Sequence, residues 1–295
     1  MKKTMPILIP IVCGVLAGLL LSSLFIHQLQ PEPIQAQTNP TDPTLPYSIS
    51  ESLPSTPLSE ESSFSDVLSL MAHSNQTWQG LELAYQATFA SDDPNQTDQV
   101  YTHEFWLGEG NQARLEISNE EGTLIQTWIS NGSQTMTLDY ENETYTTLGA
   151  PGAALAAETG QIDSFDPRSL AMPSGLNEFI FPMSLVSSLN REKIGENSVQ
   201  KLTLLGIERV LDRPAILVDR LIAASDDPKM ISKHHQYWVD AETGVILRVA
   251  VLNPQSGEAG QFFEVTQFEL NPVFSAETFA LKPEGGFEQK DTLQP

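Results

Sequence analysis

The sequence predicts a mainly β fold of antiparallel strands, and three observations predict it. Apolar and polar residues alternate in segment after segment from Leu81 onward, which is the signature of a strand with one dry and one wet face. Turn signals recur at hairpin spacing, as at Asn131-Gly132 and within QYWVDAETGVILRVAVL (236–252), which reads strand, tight turn, strand. Aromatic residues concentrate in the same segments: Tyr85, Phe89, Phe105, Trp106, Trp128, Tyr237, Trp238, Phe262, Phe263 and Phe268, as expected for pleated, half-buried surfaces.

The chain has 295 residues, room for one large or two modest domains. Residues 1–26 open with Lys2 and Lys3, and Met5 to Ile26 carries no charge. That run is long enough to cross a bilayer core as a helix and longer than the apolar part of an ordinary cleaved signal. The lysine pair places the N-terminus in the cytoplasm and the rest of the chain outside. The expectation is a single-pass anchor in the cytoplasmic membrane. The alternative is a secreted or periplasmic protein, released by cleavage near Ala36. Residues 27–62 hold seven prolines among many Ser, Thr, Gln and Glu, a composition that cannot bury enough apolar surface to order itself. They read as a disordered linker.

The folded domain is expected over 63–287, and 288–295 as a disordered tail. FSDVLSLMAHSNQTW (64–78) reads as a short amphipathic helix. LELAYQATFA alternates cleanly, with Leu81, Leu83, Tyr85, Ala87 and Phe89 on one face. Strands follow in QVYTHEFWL, QARLEIS, LIQTWIS, SQTMTLDY and ETYTTL. Alternation breaks from Gly149 to Asn190, where small residues dominate and FPMSLVSSLN reads as a helix with Pro182 at its first position. Strands resume in SVQKLTLLGIERV, RPAILVDRLIA, ISKHHQYWVD, VILRVAVL and QFFEVTQFEL. Ser275 is placed to cap a short turn around Thr278.

Charge and composition exclude several functions. Fifteen basic against 38 acidic residues give a net charge of −23, which opposes nucleic-acid binding. No Lys or Arg stands between Lys3 and Arg114, whereas twelve Asp and Glu do. The lone cysteine, Cys13, leaves no disulfide and no thiolate metal site. His234 and His235 are strand neighbours that point to opposite faces and cannot share a metal. Asp92-Asp93 and Asp226-Asp227 adjoin prolines and read as turn acids. Four Asn-x-Ser/Thr triplets, at Asn75, Asn95, Asn131 and Asn142, fall in polar turns or strand ends. No nucleophile elbow, zinc-protease, phosphate-loop or calcium-loop motif is present. A binding protein without cofactor or metal is expected, not an enzyme.

GIERVLDRPAILVDR (206–220), then QYWVDAETGVILRVAVL and LNPVFSAETFAL (270–281), resemble the C-terminal half of the LolA-like superfamily. That group includes the lipoprotein carrier LolA, LppX-type lipid carriers and the lipid-binding domain of the RseB/MucB-type sigma-E regulators. HEFWLGEGNQARLEI (103–117) and ISNGSQTMTLDYENETYTTL (129–148) resemble strand pairs of its N-terminal half. The chain departs from the pattern at LDRP, where Asp212 stands in place of the usual glycine.

The resemblance implies a strongly curved antiparallel half-barrel of about eleven strands with a helical lid, whose hollow takes acyl chains. The cavity residues are then expected among Leu83, Tyr85, Phe89, Phe105, Trp128, Met183, Val186, Tyr237 and Phe263. Arg114 has two readings: a surface residue paired with Glu116, or, from the resemblance, a residue controlling the lid. The implied function is an extracytoplasmic, membrane-tethered protein holding a lipid or an acylated protein. The alternative is an RseB/MucB-like envelope-stress sensor that binds an envelope regulatory protein.

Overall fold

The computed structural model describes residues 53–54, 57–91, 96–149, 199–223, 233–253, 256–283 and 285–290. All lie in the second of the two units into which the chain divides, Pro46–Pro295. The expected anchor (1–26), most of the linker and the expected lid from residue 150 on lie outside the described residues, as do Met183 and Val186. Among the described residues no helix is long and apolar enough to cross a membrane.

One open sheet dominates. Its strands are β1 (Leu81–Phe89), β2 (Gln99–Leu107), β3 (Gln112–Asn119), β4 (Leu124–Asn131), β5 (Gln134–Asp139), β6 (Thr144–Gly149), β7 (Val199–Val210), β8 (Arg213–Ala223), β9 (Lys233–Asp240), β10 (Ile246–Leu252), β11 (Ala259–Leu270) and β12 (Glu288–Gln289). Their order is β12-β6-β5-β4-β3-β2-β1-β11-β10-β9-β8-β7. The first eleven in the sequence are antiparallel to their neighbours, and β12 adds a two-residue parallel pairing to β6. The central long-range contact joins β1 to β11 through nine register pairs, from Leu81–Leu270 to Phe89–Gln261.

The hairpin turns follow from local chemistry. Gly132 takes φ +91° after Asn131, whose side-chain oxygen accepts from the Ser133 and Gln134 amides. At LDRP, Leu211 and Asp212 both adopt left-handed backbone, φ 49° and 59°, the pattern of a type I′ turn that glycine would ordinarily supply. The β9–β10 turn is organised by fully buried Asp240, which accepts from the Thr243 amide and hydroxyl, both at 2.8 Å, and from Arg213 Nε at 2.6 Å. These bonds hold the Arg213 guanidinium charged more firmly than usual. Gly244 completes the turn with φ +74°, and a Cβ there would meet the Leu70 carbonyl oxygen at 2.7 Å.

Helix α1 (Phe64–Ala72) covers this turn. Ser63 and Asp66 form a reciprocal capping box at its start, and those bonds hold the Asp66 carboxyl below its ordinary range. The expected 64–78 helix stops at Ala72; a 3-10 turn over Ser74–Gln76 follows, closed by the Thr77 hydroxyl on the Ser74 carbonyl at 2.6 Å. Such side-chain bonds to nearby backbone compete with helix. Val67, Leu68, Leu70 and Met71 join the main apolar core.

Both ends of the expected domain differ from the composition-based boundaries. Leu58, inside the proline-rich 27–62 segment, is 6% exposed and its amide donates to the Ala241 carbonyl. At the other end Glu288 and Gln289, inside the expected tail, pair with Thr144 and Tyr145. Single apolar anchors explain both: Leu58 in the core, and Phe287 edge-on to Tyr140.

Candidate functional site: the inner face of the sheet

Register assigns the paired strand residues to one of two faces, because directly paired residues share a face and neighbours alternate away from the register shifts. The inner face is the one that carries Leu83 and Tyr85. One row of partners across it reads Trp128, Leu115, Phe105, Leu83, Phe268. The next is Ile117, His103, Tyr85, Val265. A third crosses seven strands: Tyr101, Ala87, Phe263, Val249, Tyr237, Val218, Leu204. A fourth, toward the end of β1, reads Gln99, Phe89, Gln261, Val251, His235, Arg220, Leu202.

Six of the residues expected to line a cavity, Leu83, Tyr85, Phe105, Trp128, Tyr237 and Phe263, are buried in one apolar cluster on this face. Phe89 is half-buried beside them, edge-on to Tyr101 at 5.9 Å and to Phe263 at 5.7 Å. The same cluster includes the apolar side of α1.

Polar groups interrupt the apolar surface at a few points. The Tyr85 hydroxyl donates to the Ile246 carbonyl at 2.6 Å, and burial pushes its phenol pKa up. His103 sits between Tyr85 and Ile117; burial pushes it down to about 4, and its Nδ1 is buried without a hydrogen-bond partner. Arg220 is 2% exposed and lies opposite His235. Burial, then the charge of Arg220, then Lys233 and His234 push His235 down to about 4. The Tyr237 hydroxyl lies 3.1 Å from His235 Nδ1.

Neither His103 nor Arg220 was singled out by motif. Both were visible in the alternation, since Arg220 keeps step with Ile216, Val218 and Ile222, and His103 with Tyr101, Phe105 and Leu107. A charge or imidazole in a dry register was the signal.

The outer face is mostly wired by ion pairs. Arg114 donates through Nε to Glu116 at 2.8 Å and through Nη1 to the Thr278 carbonyl at 3.3 Å. Its described partners are thus its own strand and the segment after β11. Asp219 accepts from Gln236 at 3.0 Å and meets His234 at 2.7 Å, so the two adjacent histidines do face opposite ways. Arg248 donates to Glu264 at 2.6 Å with its guanidinium over Trp238 and Phe262. Burial, with Glu116 and Glu82 nearby, pushes the Glu104 carboxyl up. A pocket of about 630 Å3 opens where Gly108 and Glu109 meet Asn271, Phe274 and Phe279. Over β4–β6 the outer face is dry: Ile129, Met136 and Leu138 are buried beneath Leu281 and Phe287. No group of metal-ligating side chains occurs among the described residues.

No family model and no curated protein matches the chain. Solved structures do. The chain is similar to MucB in the Pseudomonas aeruginosa MucA/MucB complex, at 15% identity and TM-score 0.39, over 74% of this chain and 60% of that one. It therefore spans about three fifths of the MucB chain. Mycobacterium tuberculosis lipoprotein LppX matches at 12% identity and TM-score 0.37, over 72% of this chain and 99% of that one. A LolA superfamily protein from Nitrosomonas europaea matches at 10% identity and TM-score 0.29, over 72% of this chain and 96% of that one.

Proposed function

We propose that the chain is an extracytoplasmic binding protein that holds an acyl chain, of a lipid or an acylated protein, against the inner face of its sheet. The observation that carries this reading is the inner face itself. One apolar surface runs through Trp128, Phe105, Leu83, Phe263, Val249, Tyr237 and Val218 without a change of face. The strand-and-turn resemblance to the LolA-like superfamily supplies the ligand class. Leu83, Tyr85, Phe89, Phe105, Trp128, Tyr237 and Phe263 are the walls in this reading. Met183 and Val186, which lie outside the described residues, and a role for Arg114 in lid control belong to the same proposal.

The uncharged run from Met5 to Ile26 behind Lys2 and Lys3 supports tethering to the cytoplasmic membrane. Mass spectrometry of lipids extracted from full-length protein, purified from its native membrane, tests the binding role: a stoichiometric acyl species is expected. Its absence, with a co-purifying envelope protein in its place, would favour the sensor reading. N-terminal sequencing tests the tether. An intact start is expected, and a start near Gln37 would make the protein a soluble carrier.

A further inference from the structure

We propose that His103 is a polar contact within the acyl-binding surface: it takes an uncharged oxygen of the ligand, an ester carbonyl or a hydroxyl, where that ligand crosses β2. This rests on the acyl-binding reading above and adds the chemical class of the ligand, an acyl chain with a neutral oxygen-bearing group rather than bare hydrocarbon or an anion.

The place of His103 in the sheet sets what meets it. It pairs directly with Tyr85 on β1 and with Ile117 on β3, and Tyr101 and Phe105 flank it on the same face of its own strand. A chain laid from Phe105 and Leu83 toward Phe263 crosses this row, because Phe263 stands one row further on, opposite Ala87. His103 lies four residues from Gln99, the exposed first residue of β2, a separation of roughly 13 Å at the rise of a strand. The contact is therefore inside the surface and not at its open rim.

His103 is also an unfilled position. It is 6% exposed, and its Nδ1 is buried with no hydrogen-bond partner among the described residues. The hydroxyl of Tyr85, its cross-strand partner, already donates to the Ile246 carbonyl. A register shared with Tyr101, Phe105 and Leu107 accepts an apolar side chain without leaving a buried polar atom unpaired. An unpaired imidazole nitrogen gives a core nothing, whereas a ligand that brings a hydrogen-bonding oxygen satisfies it.

The surroundings select a neutral group. Strands β1, β2 and β3 carry no charged residue in this register, since Glu82, Glu104, Arg114 and Glu116 all take the other face. An anion held at His103 would find no counter-charge on these strands, and burial keeps the imidazole itself uncharged. A neutral imidazole has one N–H and one bare nitrogen. Nδ1 donates to an ester carbonyl in one tautomer and accepts from a hydroxyl in the other.

The test compares probes of one chain length that carry the same fluorophore at the far end: a plain hydrocarbon, an alcohol, a methyl ester and a carboxylic acid. Full-length protein kept in solution with an amphipathic polymer is titrated with each. Comparing His103→Leu with wild type cancels the different affinities of the probes for water. The preference for alcohol or ester over hydrocarbon should fall about fivefold in His103→Leu, the scale of one neutral hydrogen bond, and His103→Gln should restore part of it. His103→Leu should be at least as stable as wild type to urea at neutral pH. In wild-type protein labelled with 15N-histidine, the His103 signals, identified by their loss in His103→Gln, should move with the favoured probe and not with the hydrocarbon. Signals that respond alike to all four probes would overturn the contact and leave the acyl reading standing; this arm needs only the wild-type protein to bind. An unchanged preference in His103→Leu, an equal loss for all four probes, or a less stable variant would also overturn it, marking His103 as structural. A His103-dependent gain for the carboxylic acid alone would overturn the neutral class. No binding of any probe would overturn the acyl reading and the contact with it. A gain confined to the alcohol assigns a hydroxyl, and one confined to the ester assigns a carbonyl.

Discussion

The two ends of the inner face make different use of the same antiparallel sheet. At the end marked by Leu81, Leu107 and Leu270, the wall is aliphatic, fully or largely buried, and lies beside a turn pinned by buried Asp240 and covered by α1. At the end marked by Phe89 and Gln261, the wall mixes exposed, half-buried and buried residues and carries buried Arg220 and half-buried His235. One end is a finished core, and the other mixes polar and apolar groups in a way that a core does not require. On the proposed reading the difference separates a stabilising end from a binding end, and it can be broken or sharpened residue by residue.

The largest effect is expected at the closed end. Leu81→Ala removes a fully buried side chain and should lower unfolding free energy by roughly 2–5 kcal/mol, read by urea denaturation. Phe89→Ala, at the open end, should cost clearly less and change acyl affinity more. If the two variants are equally destabilised, the contrast between the ends is lost.

A pH effect of about 3 kcal/mol is expected from His103, whose folded pKa near 4 lies well below the ordinary value of 6.5. Its folded-state pKa is depressed, so the folded state binds the proton less readily than the unfolded chain. The stabilisation from keeping it neutral is present above pH 6.5 and declines as pH falls from 6.5 toward 4. Denaturation midpoints across that window should fall, and His103→Gln should flatten the fall.

Gly244→Ala is expected to cost about 1–3 kcal/mol. It places a side chain at φ +74° and drives a Cβ to 2.7 Å from the Leu70 carbonyl. Uncoupling α1 should appear as faster amide exchange across 64–72, with the strands near Arg220 unchanged. Exchange that quickens equally at both ends would contradict the division of the face.

The smallest effect on stability is expected from Arg114→Leu. The Arg114–Glu116 pair is about a quarter exposed on both sides, and such pairs contribute roughly 0–1 kcal/mol. If Arg114 tunes closure over the inner face, the variant should instead change the release rate of a fluorescent fatty acid. Unchanged release would leave it a surface pair bracing Thr278.

Much of this was legible in the alternation of single strands. The alternation of LELAYQATFA put Leu81, Leu83, Tyr85 and Ala87 on one face, where they are buried, because period-2 patterning is local. Gly244 and Asn131-Gly132 marked their turns for the same reason. Register irregularities were not legible: the shifts at Ala84/Tyr85 and Leu204/Gly206 depend on strand pairing, which no single segment encodes. The second dry surface was harder still. Ile129, Met136 and Leu138 face outward, and beside the nearby Tyr140 and Tyr145 their cover comes from Leu281 and Phe287, more than 140 residues later. The packing of Leu58, inside the proline-rich segment, was not legible either, because it is an isolated apolar anchor in polar surroundings.

The most direct test of acyl binding on the inner face uses the tryptophans. Trp128 faces inward opposite Leu115, and Trp106 faces outward opposite Arg114. Variants retaining only one of them, titrated with a fatty acid brominated along its chain, report which face the chain touches. Strong quenching of Trp128 with Trp106 little affected is the predicted result. Equal quenching of both, or quenching of Trp106 alone, would contradict the account.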